Sequence, residues 1–120
     1  MQKTQQRARE LADRYAYRVM WSEEDGKYVA TCAEWPYLSW LAAEQGEAID
    51  GLVKLVGSEI ARRLSPGADK DEEVPEPIST RKYSGHFAAR VPPDEHRRLV
   101  LEAAEQNVSL NQLVTMKLAR

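Results

Sequence analysis

The 120-residue sequence contains one cysteine, two histidines and no long apolar run. The lone cysteine, Cys32, excludes an internal disulfide framework and is typical of a protein from a reducing compartment such as the cytoplasm. No apolar stretch approaches the roughly 18 residues that a membrane span needs. The polar start, MQKTQQRARE, does not have the pattern of a signal peptide. We therefore expect a cytoplasmic protein that has no membrane partner.

The patterns of common catalytic and metal sites are also missing. Two histidines and one cysteine do not provide metal-ligand spacing, and there is no Ser/His/Asp set or glycine-rich phosphate loop. Glu23, Glu24 and Asp25 are consecutive in a predicted turn, which is typical of solvated loop charge. We predict no catalytic residues, no metal, no cofactor and no enzymatic activity.

Charge is distributed unevenly along the chain. Residues 1–64 carry 9 basic and 10 acidic side chains, residues 65–80 carry 1 and 5, and residues 81–120 carry 7 and 4. The whole chain has a net charge of −2, whereas its last third has an excess of basic side chains. A basic C-terminal module behind an acidic spacer is typical of a small nucleic-acid-binding protein.

The first 64 residues predict a small domain that combines a sheet with a helix. Residues 1–16 form a polar helical extension whose thin apolar stripe either docks on the next domain or frays. Residues 17–22 and 27–33 alternate as strands, and Asp25-Gly26 supplies the two positive-φ positions of a tight hairpin. Residues 38–41 are a third strand, and residues 46–64 have the apolar spacing of a helix that covers the sheet. The predicted domain covers residues 17–64.

Three tryptophans lie within 20 residues of one another. Trp21 and Trp40 lie in apolar strands, which favours the core. Trp35 lies in a loop before a proline, and contact with a protein partner and burial are equally good interpretations of it. Together with Tyr37 in the same loop, Trp35 is the candidate for partner contact.

Residues 65–80, SPGADKDEEVPEPIST, contain three prolines and no aromatic residue, and acidic side chains dominate. Such a composition buries too little surface to offset its ordering entropy, so it predicts a mobile linker.

Residues 81–120 predict one strand followed by two helices. Pro93 suits the first position of the first helix, Asn107 suits its left-handed end, and Ser109 with Gln112 forms a capping box for the second. The strand, residues 84–91, alternates between two faces. One face carries Phe87, Ala89 and Val91, and the other carries His86, Ala88 and Arg90.

A single strand has no partner for its backbone, so the module requires a second copy that pairs with it. The predicted dimer core contains Phe87, Ala89, Val91, Leu99 and Leu113. The opposite face of the two-stranded ribbon fits the major groove of DNA, where Arg90 can bind guanine, His86 can donate to a base and Ala88 can offer only a methyl contact. Ser109, Leu110 and Asn111 offer a helix N-terminus to a phosphate. The alternative is that Arg90 is a solvated charge on an edge strand.

Two segments carry a resemblance to a known family. HFAARVPPDEHRRLVLEAAEQNVSLNQLV resembles the ribbon-helix-helix domain of HicB-type antitoxins and of the Arc and MetJ repressors. WSEEDGKYVATCAEWPYLSWLAAEQGEAIDGL resembles the N-terminal pattern of HicB proteins. The resemblance implies an α+β protein in which a partial RNase H-like domain precedes a ribbon-helix-helix domain.

The same resemblance implies a function and its partners. The N-terminal domain would neutralise a small HicA-like, mRNA-cleaving toxin, and the C-terminal domain would repress the operon as a homodimer or tetramer on double-stranded operator DNA. One alternative is an orphan repressor that has no toxin. Another, of a different class, is a vestigial RNase H-like hydrolase.

Overall fold

The computed structural model describes residues 2–69 and 71–119. The chain divides into two compact units, Met1–Lys82 and Tyr83–Arg120. The part of the chain that the structure describes contains a three-stranded antiparallel sheet and four α-helices, which confirms the predicted α+β class.

The N-terminal unit contains two of the helices and the whole sheet. Helix α1 (Gln2–Ala12) is followed by strands β1 (Tyr17–Ser22), β2 (Lys27–Cys32) and β3 (Ser39–Ala42), and then by helix α2 (Gln45–Leu64). The strands follow one another in the sheet in the order β1-β2-β3, as expected for a meander. Each predicted strand and the long helix are confirmed to within one residue at each end.

The β1–β2 connection differs from the predicted tight hairpin. Ser22 pairs with Lys27, so the loop between the strands has four residues and not two. Of Asp25 and Gly26, only Gly26 has a positive φ, at 63°. The Gly26 N–H donates to the carbonyl of Ser22 at 2.8 Å, and the Ser22 hydroxyl bonds to the Asp25 carboxylate at 2.8 Å. These two hydrogen bonds hold a four-residue loop in place of the predicted two-residue turn.

Helix α2 covers one face of the sheet. Its buried side chains recur every four residues, which is the spacing of a single helical stripe. Helix α1 docks as well, because Ala8 and Ala12 are buried and a Cβ atom at Gly57 of α2 would lie 3.9 Å from the Ala12 methyl. The core of this unit consists of Ala8, Ala12, Tyr15, Ala30, Cys32, Trp35, Ala48, Leu52, Val56 and Ile60.

The structure decides the open interpretation of Trp35 in favour of burial, and it contradicts the prediction that Trp21 and Trp40 lie in the core. Trp35 is completely buried, whereas Trp21 is 50% exposed and Trp40 is 43% exposed. The Trp35 ring packs edge-on against Tyr15, with ring centres 6.0 Å apart, and the Arg63 guanidinium lies 4.7 Å above it. The loop after β2 turns this side chain inward, and strand alternation does not report on such a position.

Residues 74–80, which we call the strap, were predicted to be part of a mobile linker and instead pack on the N-terminal unit. Pro77 is fully buried, and Val74 packs against the core. The Tyr15 hydroxyl donates to the carbonyl of Pro75 at 2.7 Å. Prolines have few conformations to lose, so ordering the strap costs less entropy than its composition suggests.

The strap is fixed further by Glu34. This carboxylate accepts backbone N–H groups from Ala16 at 3.0 Å and from Ile78 at 2.9 Å. It therefore joins the chain before β1, the end of β2 and the strap. A 3₁₀ turn, Ile78–Thr80, ends the strap.

The C-terminal unit contains helices α3 (Pro93–Glu105) and α4 (Leu110–Leu118). Pro93 begins α3 as predicted, and Asn107 ends it with a φ of 56°. The N–H groups of Val108 and Asn107 donate back to the carbonyls of Ala103 and Ala104, which is a Schellman motif. Lys117 and Glu102 link the two helices through an ion pair of 3.2 Å.

Candidate nucleic-acid and dimer interface

The segment before α3 has no regular secondary structure and is exposed. Within the described part of the chain, no residue from 81 to 92 belongs to a strand, and each of these residues is exposed. The predicted strand over residues 84–91 is therefore not observed in the single chain, and at its predicted start Gly85 has a φ of 81° and the Ser84 hydroxyl accepts the His86 N–H at 3.0 Å. We call the six residues that follow this turn, 86–91, the ribbon segment.

Both faces of the ribbon segment are accessible in the single chain. On the predicted base-reading face, His86, Ala88 and Arg90 are exposed. On the predicted dimer-core face, Ala89 is exposed, Phe87 is 76% exposed and Val91 is 46% exposed. A phenylalanine that is so exposed leaves most of its apolar surface in water, which is unfavourable by about 25 cal/mol for each Å².

The two helices leave a large apolar surface uncovered as well. Of the predicted core residues, Leu113 is buried and Leu99 is half-buried. Ala103 is the only other buried residue among those described in this unit. The exposed apolar side chains of the two helices are Val100, Leu101, Met116 and Leu118. A unit of about 40 residues with so small a core is marginally stable alone.

The start of α4 has the geometry of an anion site. The Ser109 hydroxyl accepts the Gln112 N–H at 3.0 Å, and the Gln112 side chain accepts the Ser109 N–H at 3.0 Å, so the predicted capping box is confirmed. The N–H groups of Leu110 and Asn111 occupy the first turn, where a helix provides no acceptor for them. Their direction and the helix dipole favour an anion at this end.

Of the two residues predicted to contact a partner, Trp35 is buried and Tyr37 is exposed. Trp35 is excluded by its burial beneath Tyr15 and Arg63. Tyr37 is 66% exposed, and its hydroxyl accepts a hydrogen bond from Arg63 at 2.9 Å.

The N-terminal unit also has an apolar row that the sequence prediction missed. Met20 pairs with Val29, and Val29 pairs with Leu41, so the three side chains cross the sheet on the face opposite α2. Met20 and Leu41 are exposed. The signal was present in the strand alternation, which places Met20 on the opposite face from Val19.

The only cysteine has no reactive character. Cys32 is buried, and this burial raises the pKa of its thiol to about 11. Among residues 2–69 and 71–119, no group of three or more His, Cys, Asp or Glu side chains could hold a metal ion. No helix in the same residues is long and apolar enough to cross a membrane.

Comparison with known proteins finds a family that matches the C-terminal part of the chain. The model of the HicB family matches residues 70–118, which include the end of the acidic segment, the strap, the ribbon segment and both C-terminal helices. No curated protein and no solved structure matches the chain.

Proposed function

Because the chain is HicB-like through residues 70–118, we propose that it is an antitoxin that represses its own transcription. In this proposal the Tyr83–Arg120 unit dimerises and binds operator DNA. The Met1–Lys82 unit neutralises a HicA-like mRNA-cleaving toxin. The protein has no enzymatic role in this proposal.

The observation that carries the DNA-binding part is the ribbon segment, which is exposed along its whole length and belongs to no helix or sheet in the described part of the chain. Pairing with the same segment of a second chain would satisfy its backbone groups and form a two-stranded ribbon. Such a ribbon fits the major groove of B-DNA. Its outer face would present two copies of His86 and Arg90.

The dimer is supported by the apolar surface of the same unit. Phe87 and Val91 project from the ribbon segment, and the helices expose four further large apolar side chains. Patches of this kind mark interaction sites in soluble proteins. A second copy would cover them with an identical surface, which is the usual arrangement of a two-fold dimer.

Phosphate contacts complete the DNA-binding proposal. The first turn of α4 offers the N–H groups of Leu110 and Asn111 beside the Ser109 cap. A dimer has two such turns, one from each chain. Contacts of this type set the orientation of a protein on DNA, and base contacts then provide the specificity.

Arg90 provides the test of base recognition. Replacing it with alanine should weaken binding to the DNA upstream of the gene by about 1–3 kcal/mol for each lost bidentate contact and relax specificity at the contacted base. Fluorescence anisotropy with the natural and point-substituted DNA measures both effects. Lys54→Ala, at an exposed position of α2, is the control, because it removes one positive charge as Arg90→Ala does. Equal behaviour of the two variants would reject base recognition by Arg90.

Toxin neutralisation is assigned to the N-terminal unit because this unit exposes aromatic and apolar side chains. Trp21, Tyr37 and Trp40 are accessible, and so is the row through Met20 and Leu41. Tryptophan and tyrosine are enriched among the residues that dominate binding energy at protein interfaces.

The second candidate function is an orphan HicB-like repressor that has no toxin. The basic C-terminal unit supports it as well as it supports the antitoxin. Co-expression with the small adjacent reading frame distinguishes the two. An antitoxin should co-purify with that product and restore growth, whereas a harmless neighbour that does not bind would favour the orphan repressor.

A vestigial hydrolase is the alternative of another class. The carboxylate of Asp25 already bonds to the Ser22 hydroxyl in the hairpin loop. Metal-dependent cleavage of RNA that is lost in the Asp25→Ala variant would establish the hydrolase and reject the non-enzymatic proposal.

A further inference from the structure

The charge of the chain changes abruptly at the end of the strap. The last acidic residue of the acidic segment is Glu76, and the next acidic residue is Asp94. Between them lie the basic residues Arg81, Lys82 and Arg90, together with His86. A continuous stretch of 17 residues therefore carries positive charge and no negative charge.

Arg81 and Lys82, which we call the basic arm, form the densest part of this stretch. Both residues are exposed and lie just before the turn at Gly85. They precede His86, the first residue of the ribbon segment, by five and four positions. A chain of that length extends at most about 17 Å, so the basic arm must remain close to its own end of the ribbon segment.

The base of the arm is held in place by the strap. The Arg81 Nε–H donates to the carbonyl of Glu76 at 2.9 Å. The strap in turn is anchored through Ile78 to Glu34, and through the Ser79 hydroxyl to the carbonyl of Arg14 at 2.9 Å. The bond to Glu76 uses one of the five N–H donors of the guanidinium. Fixing Nε reduces the entropy that Arg81 loses when it binds an anion.

We propose that Arg81 and Lys82 bind the DNA backbone phosphates beside the groove that the ribbon occupies. This inference rests on the DNA-binding function proposed above and adds a site to it. Phosphate is the ligand that suits this pair, because guanidinium and ammonium groups both bind its oxygens and need no particular base sequence. In an antiparallel ribbon the two arms lie at opposite ends, so a dimer offers four additional cations.

The salt dependence of DNA binding measures these contacts directly. The logarithm of the binding constant falls linearly with the logarithm of the salt concentration. The slope of this line steepens by about 0.9 for each phosphate that the protein neutralises on B-DNA. Four lost contacts per dimer would therefore reduce the slope by about 3–4. The ratio of affinities for natural and base-substituted DNA should not change, because phosphate contacts carry no sequence information.

The experiment compares the full-length wild type with two double variants on the DNA upstream of the gene, at several salt concentrations. Arg81→Ala/Lys82→Ala removes the arm. Lys27→Ala/Lys54→Ala removes two exposed cations of the N-terminal unit and changes the net charge by the same amount. We expect a slope reduced by about 3–4 in the first variant and an unchanged slope in the second.

A charge-preserving exchange, Arg81→Lys/Lys82→Arg, controls for folding and should retain the wild-type slope. If wild-type binding depends on salt and the arm variant has the wild-type slope, the arm does not bind phosphates and the inference is wrong. An equal reduction in the Lys27/Lys54 variant also overturns it, because net charge alone would explain the effect. If the wild type does not bind DNA in a salt-dependent manner, the proposed function itself fails and the inference fails with it.

Discussion

Glu34 joins three segments of the N-terminal unit through one carboxylate. It accepts the N–H groups of Ala16 and Ile78, and the Cys32 thiol lies within 3.5 Å of it. Its partial burial acts to raise the pKa of the carboxyl, but the hydrogen bonds from Ile78 and Ala16 outweigh this effect, so the pKa is lowered. Hydrogen bonds to a charged group contribute about 1.5–3 kcal/mol each in favourable cases.

Replacing Glu34 with glutamine should therefore destabilise the N-terminal unit in a pH-dependent manner. Because the folded pKa is lowered, the carboxylate stabilises the fold above its unfolded pKa of about 4.3. That stabilisation is lost as the pH falls through the folded value. We expect a difference of about 1–3 kcal/mol in unfolding free energy at pH 7, and a smaller difference at pH 3.

Urea unfolding followed by tryptophan fluorescence at the two pH values measures this effect. Glu24→Gln removes an exposed carboxylate from the hairpin loop and should change stability little at either pH. A difference between wild type and Glu34→Gln that is the same at pH 7 and pH 3 would contradict the ionic role of this residue.

The tryptophans show where strand alternation is informative. It reports the face of the sheet on which a side chain lies, but not whether a helix extends over that position. Trp21 is the second-last residue of β1 and lies on the same face of the sheet as Val19. It packs against Tyr28, with ring centres 5.1 Å apart, and remains half-exposed. Trp35 lies in a loop, where strand alternation gives no information, so the sequence left burial and partner contact as equal alternatives.

At the scale of elements, local patterns predict the three strands of the sheet and the four helices, but the strand predicted over residues 84–91 is not observed in the single chain. The apolar spacing of α2 and the capping box of α4 are both properties of a few neighbouring residues, and the structure confirms both. The strap could not be predicted, because its order depends on contacts with Tyr15 and Glu34, which lie 60 and 44 positions before their partners in the strap. Composition alone does not report such contacts.

Gly51 provides a test of how β3 packs on α2. A Cβ atom at this position would overlap the indole of Trp40 on β3. We expect Gly51→Ala to destabilise the N-terminal unit by about 1–3 kcal/mol, because the ring must move and lose its contact with the helix. Thermal unfolding followed by circular dichroism provides the measurement.

The same substitution should have the opposite sign once the ring is removed. In a Trp40→Ala background the space above Gly51 is empty, and alanine is more favourable than glycine in a helix interior by about 1 kcal/mol. Gly51→Ala should then stabilise the protein. If it destabilises the Trp40→Ala protein as much as the wild type, the contact between Trp40 and Gly51 does not explain the glycine.

At the scale of the molecule, the two units differ in how much core each contains. Ten of the buried residues form one cluster in the N-terminal unit. The C-terminal unit buries Ala103 and Leu113 among its described residues and exposes Phe87 and several helical apolar side chains. Strand alternation and helical spacing predict that a second chain covers this surface.

Phe87 tests this prediction because it lies on the ribbon segment and is 76% exposed in the single chain. If two ribbon segments pair, Phe87 becomes buried on the helices, and Phe87→Ser removes apolar contacts from both chains at once.

We expect the wild type to sediment as a dimer or a tetramer and to melt at a temperature that rises with protein concentration. Phe87→Ser should be monomeric and should melt lower. Met20→Ser, which removes an exposed apolar side chain from the N-terminal unit, should retain the wild-type assembly. A wild type that is monomeric at high concentration, or a Phe87→Ser variant that remains associated, would show that the ribbon segment does not form the dimer.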